Sequence, residues 1–437
     1  MTMIPKAIGL LALTVLPSHA APRGEGGSDL LAIRVGKAET ISQGTLEHVV
    51  ILVEGGKIVT IGEDLLIERG IPILERPDWT AMPGLVSCHT RIGLEKSTSR
   101  SFEPNTNPKR EVYPRQKVWK ELLELGVTTL GLVPEGNSGV PGQAIAIRPY
   151  GDTIDEMLLE EDVYLKMNLQ SSSSSKAIIR DAFGKVDTYN KKVAKEREKW
   201  EKAREKSKKK SSRSRSKKSK DDDEKEGDDK EKEKAKSTEE VPKEFVPPAP
   251  DAKVQPFIDL REGRLTAMLS IRKAGDYLHL LDVMEEEEDV KWFLRVPLRT
   301  DIDLYEVADR LGEREVLAVL NTRITLQAHS RRERNIPAEL ARTGVHLALT
   351  PESDRMSSYE EWMNDVGHLV SRGLEREKAL AAVTQEPARA LGLDEQLGTL
   401  DAGKDANIVF WDGDPLEPAS RVQAVMLEGR FVTGEVD

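Results

Sequence analysis

The sequence predicts an α/β protein in which a closed (β/α) barrel lies between two groups of short strands. β-branched runs alternate with helical patterns over most of the chain, starting with a helical stretch at Lys117–Gly126 and the run Val127–Val133. Later runs repeat this alternation at 265–271, 292–296, 316–320, 322–328 and 345–350. Strands that alternate with helices form parallel sheets, and over this length a closed barrel is the economical arrangement.

Short strands near both termini predict a small companion domain. They are β-branched runs separated by turns and occur at 30–35, 49–54, 57–62, 406–411 and 422–427. Glu54-Gly55-Gly56-Lys57 is a typical hairpin turn. Because strands from the two ends of a chain can pair, we expect residues 28–82 and 398–437 to form one composite β-sandwich. The barrel is then expected at residues 83–397.

Composition limits the class of protein. The 437 residues suffice for one large barrel and a smaller companion domain. The formal charge of −11 argues against a nucleic-acid partner. Cys88 is the only cysteine of the sequence, which excludes an intramolecular disulfide and a cysteine-based zinc site.

The first twenty residues have the pattern of a secretory signal peptide. Lys6 provides the positive charge, Ala7–Leu16 the apolar segment, and Ser18-His19-Ala20 a cleavage site with small residues at both ends. The apolar segment is shorter than the ~20 residues that a membrane span requires. We therefore expect a signal peptide at residues 1–20 and a soluble exported protein, periplasmic or secreted, without a membrane span.

A charged segment at residues 190–250 interrupts the alternation of strands and helices. It contains a Lys/Arg/Ser block at Lys208–Lys220 and an acidic block at Asp221–Asp229, and it ends in Val246-Pro247-Pro248-Ala249-Pro250. No apolar periodicity runs through the segment, so little burial is available to offset the entropy of ordering it. We predict a disordered insertion within the barrel, whose blocks of opposite sign neutralise each other.

One motif carries most of the functional information. Within Met82–Leu94, an apolar stretch is followed by His89-Thr90-Arg91. Arginine stays protonated at any accessible pH and has no lone pair, so Arg91 cannot bind a metal. Cys88, beside His89, is interpreted as a small buried apolar residue and not as a nucleophile.

Three groups of segments together resemble the amidohydrolase superfamily, in particular its imidazolonepropionase-like and dihydroorotase-like branches. They are Gly55–Val59 with Met82–His89, Gly126–Thr129 with 136–143, and Ala379–Thr384 with Pro387–Gly392, Gly398–Leu400 and Gly403–Val409. The resemblance covers nearly the whole chain after the signal peptide, apart from the charged insertion. It implies a TIM-type (β/α)8 barrel with a composite β-sandwich, in agreement with the strand pattern.

The resemblance also implies a set of metal ligands. Active members have two histidines after the first barrel strand, one after each of the fifth and sixth strands, and an aspartate after the eighth. His89 and Asp354 match this set. The positions where ligands are replaced are Arg91, Ser270, Arg272 and Val296. If Arg91 and Arg272 point into the barrel, their charges would repel a dication and offer Asp354 a partner.

Two functions remain open at this point, and a third alternative is an adaptor that uses the charged insertion to bind surfaces or other proteins. The resemblance implies a hydrolase of non-peptide C–N bonds, in a cyclic amide or a small dipeptide-like substrate, with Asp354 as base. Its cofactor would be none or a single divalent metal, most simply zinc, held by His89 and Asp354. The alternative is a pseudoenzyme that binds a small-molecule ligand, or that forms an oligomer with itself or an intact relative. His89 could also be only a packed strand-end residue, and Asp354 only the cap of a helix that starts near Ser357.

Overall fold

The computed structural model describes residues 30–95, 98, 101–217, 242, 244–300, 302–327 and 329–434. The strands are β1 Leu31–Glu39, β2 Thr45–Glu54, β3 Lys57–Glu63, β4 Ile73–Pro83, β5 Leu85–Thr90, β6 Val127–Leu132, β7 Gly139–Ile147, β8 Leu158–Asn168, β9 Thr266–Ser270, β10 Trp292–Val296, β11 Leu317–Asn321, β12 Thr325–Leu326, β13 Glu333–Arg334, β14 His346–Thr350, β15 Ile408–Trp411, β16 Val422–Leu427 and β17 Arg430–Thr433. The helices are α1 Lys117–Glu124, α2 Ile154–Met157, α3 Ser173–Lys217, α4 Gln255–Arg261, α5 Ala274–Met284, α6 Ala308–Gly312, α7 Ile336–Arg342, α8 Met356–Glu360, α9 Trp362–Ser371, α10 Arg376–Ala381 and α11 Gln385–Ala390. Lys109–Glu111 and Leu304–Val307 form 3₁₀ turns.

The terminal domain is a seven-stranded sheet with the order β17-β16-β15-β4-β1-β2-β3. The two ends of the chain meet where β15 pairs antiparallel with β4, with Ile408 opposite Pro83. Its apolar core includes Ile33, Ile51 and Phe410, all fully buried. Strands from both ends of the chain therefore form one composite β domain, as predicted.

The barrel sheet has eight strands in the order β14-β11-β10-β9-β8-β7-β6-β5. Neighbouring strands are parallel except that β7 runs antiparallel to both β6 and β8. At the closure between β14 and β5, the carbonyls of Ala382 and Val383 accept hydrogen bonds from the N–H groups of Leu349 (2.7 Å) and Val86 (2.9 Å). The predicted TIM-type barrel is confirmed, with one strand reversed.

Side chains on the barrel strands alternate between an inner and an outer apolar cluster, as strand geometry requires. The inner cluster takes residues from every side of the barrel, including Tyr164 of β8, Met268 of β9 and Phe293 of β10. The outer cluster packs the opposite strand faces, such as Leu165 and Leu294, against the helices. The open end of the barrel, at the carboxyl ends of the parallel strands, is called the barrel mouth. A residue that follows an inner-cluster residue by two positions lies on the same face and closer to this mouth.

The charged segment differs from its prediction. Residues 190–217 belong to α3, and residues between 242 and 248 contact this helix again. Trp200 donates a hydrogen bond to the carbonyl of Pro242 (3.1 Å) and packs on Phe245 with tilted rings (5.9 Å between ring centroids). The Tyr189 hydroxyl donates to the carbonyl of Pro248 (3.0 Å). A few aromatic contacts and helix-favouring Lys, Glu and Ala residues thus order both ends of a segment without apolar periodicity. Residues 218–241 and 243 lie outside the described residues.

The predicted signal peptide at residues 1–20 also lies outside the described residues. Within the described part of the chain, no helix combines the length and the apolar character needed to cross a membrane.

Candidate functional site

His89 reaches the barrel interior because β5 is irregular at its end. The register of β5 against β6 shifts between Ser87 and Thr90, so an extra residue is accommodated there. Such a bulge re-aims side chains. As a result, His89 Nδ1 lies 3.2 Å from the hydroxyl of Tyr164, an inner-cluster residue.

The hydrogen bonds around His89 define its tautomer. The Tyr164 hydroxyl donates to the carbonyl of Cys88 (2.8 Å), so its oxygen accepts the proton of His89 Nδ1–H. The lone pair of the imidazole is therefore on Nε2. Burial, followed by the positive charges of Arg295 and Lys166, holds the pKa of His89 well below its usual value. His89 is a neutral imidazole at neutral pH.

Asp354 is fixed to the end of β5. Its Oδ1 accepts hydrogen bonds from the Thr90 hydroxyl (2.7 Å) and from the backbone N–H of Arg91 (3.0 Å). Tyr359 supports this arrangement, since its hydroxyl donates to Thr90 Oγ1 (2.9 Å). Helix α8 begins at Met356 and its cap residue, Arg355, makes no side-chain capping bond. Asp354 is therefore tied to the first barrel strand and does not serve as the cap of that helix.

Arg91 turns away from Asp354. Its guanidinium pairs with Glu135 (Nε to Oε2, 2.9 Å) and Glu111 (NH2 to Oε2, 3.3 Å). It also donates to the carbonyls of Val133 (2.6 Å) and Glu95 (3.0 Å). The expected pairing of the Arg91 guanidinium with the Asp354 carboxylate is corrected: only the backbone of Arg91 contacts Asp354, because two carboxylates compete for the guanidinium.

The remaining predicted positions lie on β9 and β10. Ser270 is in register with Arg295 on the neighbouring strand and shares the inner face with Met268. Arg272 lies beyond the end of β9 and is exposed, and its backbone N–H binds Asp276 (3.0 Å). Val296 is fully buried in the outer cluster. Because strand side chains alternate, the residue at the mouth on β10 is Arg295, which corrects the sequence interpretation by one position.

Cys88 behaves as predicted for a buried apolar residue. Its side chain is 1% exposed, and burial raises the pKa of its thiol to about 12. A thiol that stays protonated is a poor nucleophile.

Two cations at the mouth were missed from the sequence. Lys166 follows Tyr164 on the inner face of β8, is 5% exposed, and donates to the carbonyl of Pro134 (3.1 Å). Burial, followed by the repulsion of Arg91, lowers its pKa to about 8 against the attraction of Glu135 and Asp354. The guanidinium of Arg295 has one long hydrogen bond, to the carbonyl of Val319 (3.4 Å), and its buried Nε has no partner among the described residues. The sequence contained a signal for each of them: Arg295 is the single charge of β10, and Lys166 is the single charge in the second half of β8, after Asp162.

The donor set at the mouth does not fit a catalytic metal. His89 Nε2 and the Asp354 carboxylate are two potential ligands, whereas catalytic zinc sites usually have three protein ligands. Nowhere among the described residues do three or more His, Cys, Asp or Glu side chains come together as a metal site would require. Arg295 and Lys166 add positive charge where a dication would have to bind.

Comparison with known proteins agrees with this fold. Residues 298–432 match the family profile described as "Amidohydrolase family". The solved amidohydrolase from Thermotoga maritima MSB8 superposes with a TM-score of 0.73 at 20% identity, over 93% of this chain and 100% of that one. The C-terminal part of the chain thus matches the amidohydrolase family, and the chain shares its fold with a solved amidohydrolase. A prolidase solved with N-methylphosphonate-L-proline superposes with a TM-score of 0.53 at 13% identity, over 93% of this chain and 100% of that one.

Among curated relatives, the imidazolonepropionases of Mesorhizobium japonicum and Brucella anthropi are each 37% identical, over 105 and 106 residues. The matches cover 23% of this chain in both cases. They span 25% and 26% of the length of those relatives, about a quarter of each. The shared part supports the family assignment, while activity and substrate are separate questions.

Proposed function

We propose that this protein is an exported member of the superfamily that binds a small molecule in its barrel mouth without metal-dependent hydrolysis. The observation that carries the proposal is the composition of the mouth. By the resemblance, imidazoles of an active relative are replaced at Arg91, Ser270, Arg272 and Val296, and the two potential ligands left are His89 and Asp354. Arg295, beside Val296, is the residue of β10 on the inner face.

The geometry supports binding because the mouth is built from fixed polar groups. Thr90, Tyr359 and the Arg91 backbone hold Asp354, and Tyr164 orients His89. Orienting bonds of this kind are what a binding site requires of its scaffold. A partnership with an intact relative, or with a second copy of the chain, is compatible with this role and forms part of the proposal.

A second candidate is hydrolysis of a non-peptide C–N bond without a metal. It is favoured by one observation, the neutral imidazole of His89 with its lone pair on Nε2. A neutral imidazole can accept a proton from water, and Asp354 lies in the same mouth. In this case His89 is the base, and Asp354 positions β5 through Thr90.

Turnover assays distinguish the two candidates. The purified protein is incubated with small cyclic amides and dipeptides, for example hydantoin and glycyl-proline, with added zinc and with EDTA. We expect no hydrolysis above the background under either condition. Hydrolysis that EDTA abolishes would contradict the proposal and indicate a metal enzyme. Hydrolysis that EDTA leaves unchanged, but that His89→Ala abolishes, would establish the second candidate.

A further inference from the structure

The cations of the barrel mouth are unusual in having no internal counterion in contact. Among the described residues, no carboxylate lies within ion-pair distance of Lys166 or Arg295, although Lys166 is 5% exposed. The Arg91 guanidinium, by contrast, contacts both Glu111 and Glu135. Buried cations are normally paired, because removing an unpaired charge from water is costly. An anionic partner from outside the chain would match both cations.

Arg295 has the donors that such a partner would use. It shares the inner face of β10 with Phe293 and lies near Cys88, Asp354 and Tyr164, which places it over the barrel interior. Its Nε is orphaned, and its NH1 bond to Val319 is long. A guanidinium edge with free donors binds a planar oxyanion through two parallel hydrogen bonds.

We propose that the barrel mouth binds the carboxylate of a small monoanionic ligand between the guanidinium of Arg295 and the ammonium of Lys166. This inference rests on the proposed binding function and names its ligand class. Asp354 lies near both cations and offsets part of their positive charge, so the site favours a ligand with a single negative charge. Glu135 is a further carboxylate near Lys166, so a phosphate dianion is disfavoured.

The occupant is thus a carboxylate attached to an uncharged group. Apolar and aromatic residues, including Tyr164 and Phe293, form the floor beneath the cations. The neutral His89 Nε2 offers an acceptor to a ligand N–H. An N-acylated amino acid has these features in one molecule: an amide N–H, an apolar portion and one carboxylate.

Two matched probes test this assignment on the full chain. N-acetylglycine carries the carboxylate, and N-acetylglycinamide replaces it by a neutral amide. We expect N-acetylglycine to raise the melting temperature and to bind in a calorimetric titration, while N-acetylglycinamide at the same concentration does neither. Inorganic phosphate is the third probe, and stronger binding of phosphate than of N-acetylglycine would overturn the choice of a carboxylate.

Variants locate the site. Arg295→Met should weaken N-acetylglycine binding roughly tenfold or more, since a charge-assisted hydrogen-bond pair is lost. Arg299→Met is the matched control, because Arg299 is exposed on the loop that follows β10 and should leave binding unchanged. Without ligand, Arg295→Met should melt at the same or a higher temperature than the wild type, since an unpaired charge is removed.

Three results would contradict the inference. They are no binding of N-acetylglycine, equal binding by Arg295→Met and the wild type, and a lower melting temperature of ligand-free Arg295→Met, which would reveal an internal partner. The proposed function fails separately, through metal-dependent turnover, so the two failures are distinguishable.

Discussion

Removing the Asp354 carboxylate should destabilise the protein measurably, because Asp354 joins the end of β14 to the end of β5. Its Oδ1 accepts from the Thr90 hydroxyl (2.7 Å) and from the Arg91 N–H (3.0 Å). Hydrogen bonds to a charged acceptor contribute about 1.5 to 3 kcal/mol each, and partial exposure favours the lower value. Asp354→Ala should therefore lower the free energy of unfolding by about 3 kcal/mol.

Asp354→Asn separates the hydrogen bonds from the charge. Its side-chain carbonyl can still accept from both donors, but the mouth loses its negative charge near Arg295 and Lys166. We expect a loss of about 1 to 2 kcal/mol, intermediate between the wild type and Asp354→Ala. Urea denaturation followed by circular dichroism measures both variants, with the slope m as the check on two-state behaviour. If Asp354→Ala unfolds within about 0.5 kcal/mol of the wild type, Asp354 does not tie the two strands together.

Three further predictions concern single residues. Lys166 has a pKa of about 8 in the folded protein, below its ordinary value near 10.5, so between these pH values the unfolded chain binds one proton more than the folded chain. The free energy of unfolding of the wild type should therefore rise by on the order of 3 kcal/mol relative to that of Lys166→Met between pH 8 and 10.5. A difference between the two proteins that does not change with pH would refute this. The thiol of Cys88 should react with a disulfide reagent only after denaturation, since it is buried with a pKa of about 12; rapid reaction in native buffer would argue against its burial. Trp200→Ala should leave the free energy of unfolding within about 0.5 kcal/mol of the wild-type value but speed proteolysis near Phe245, which packs on Trp200. An unchanged cleavage rate would mean that this contact does not order the residues around Phe245.

Much of the fold was predictable because its signals are local. The alternation of strands and helices gave the barrel, and the strands of both termini gave the composite domain. The reversed direction of β7 was not predictable, since Gly139–Ile147 is buried on both faces and its apolar pattern carries no information on direction. The sequence allowed a helix at Lys191–Lys206, but the full length of α3 was not predictable, because its order depends on contacts such as those of Trp200, which no periodicity reveals.

The candidate site was only partly predictable. His89 and Asp354 were found by resemblance, and the structure brings both to the end of β5. The contacts of Arg91 were not predictable, because Glu111 ends a 3₁₀ turn and Glu135 lies in a loop, and the sequence does not define the course of either connection. Arg295 was overlooked through a register error of one residue, which in a strand exchanges the inner face for the outer one.

Zinc binding by the purified full-length chain tests the central claim most directly. After equilibration with zinc and removal of the free metal, elemental analysis of the wild type and of His89→Ala should give the same substoichiometric content, because His89 and Asp354 alone are too few ligands beside two cations. One or more equivalents of zinc in the wild type, lost in His89→Ala, would contradict the account.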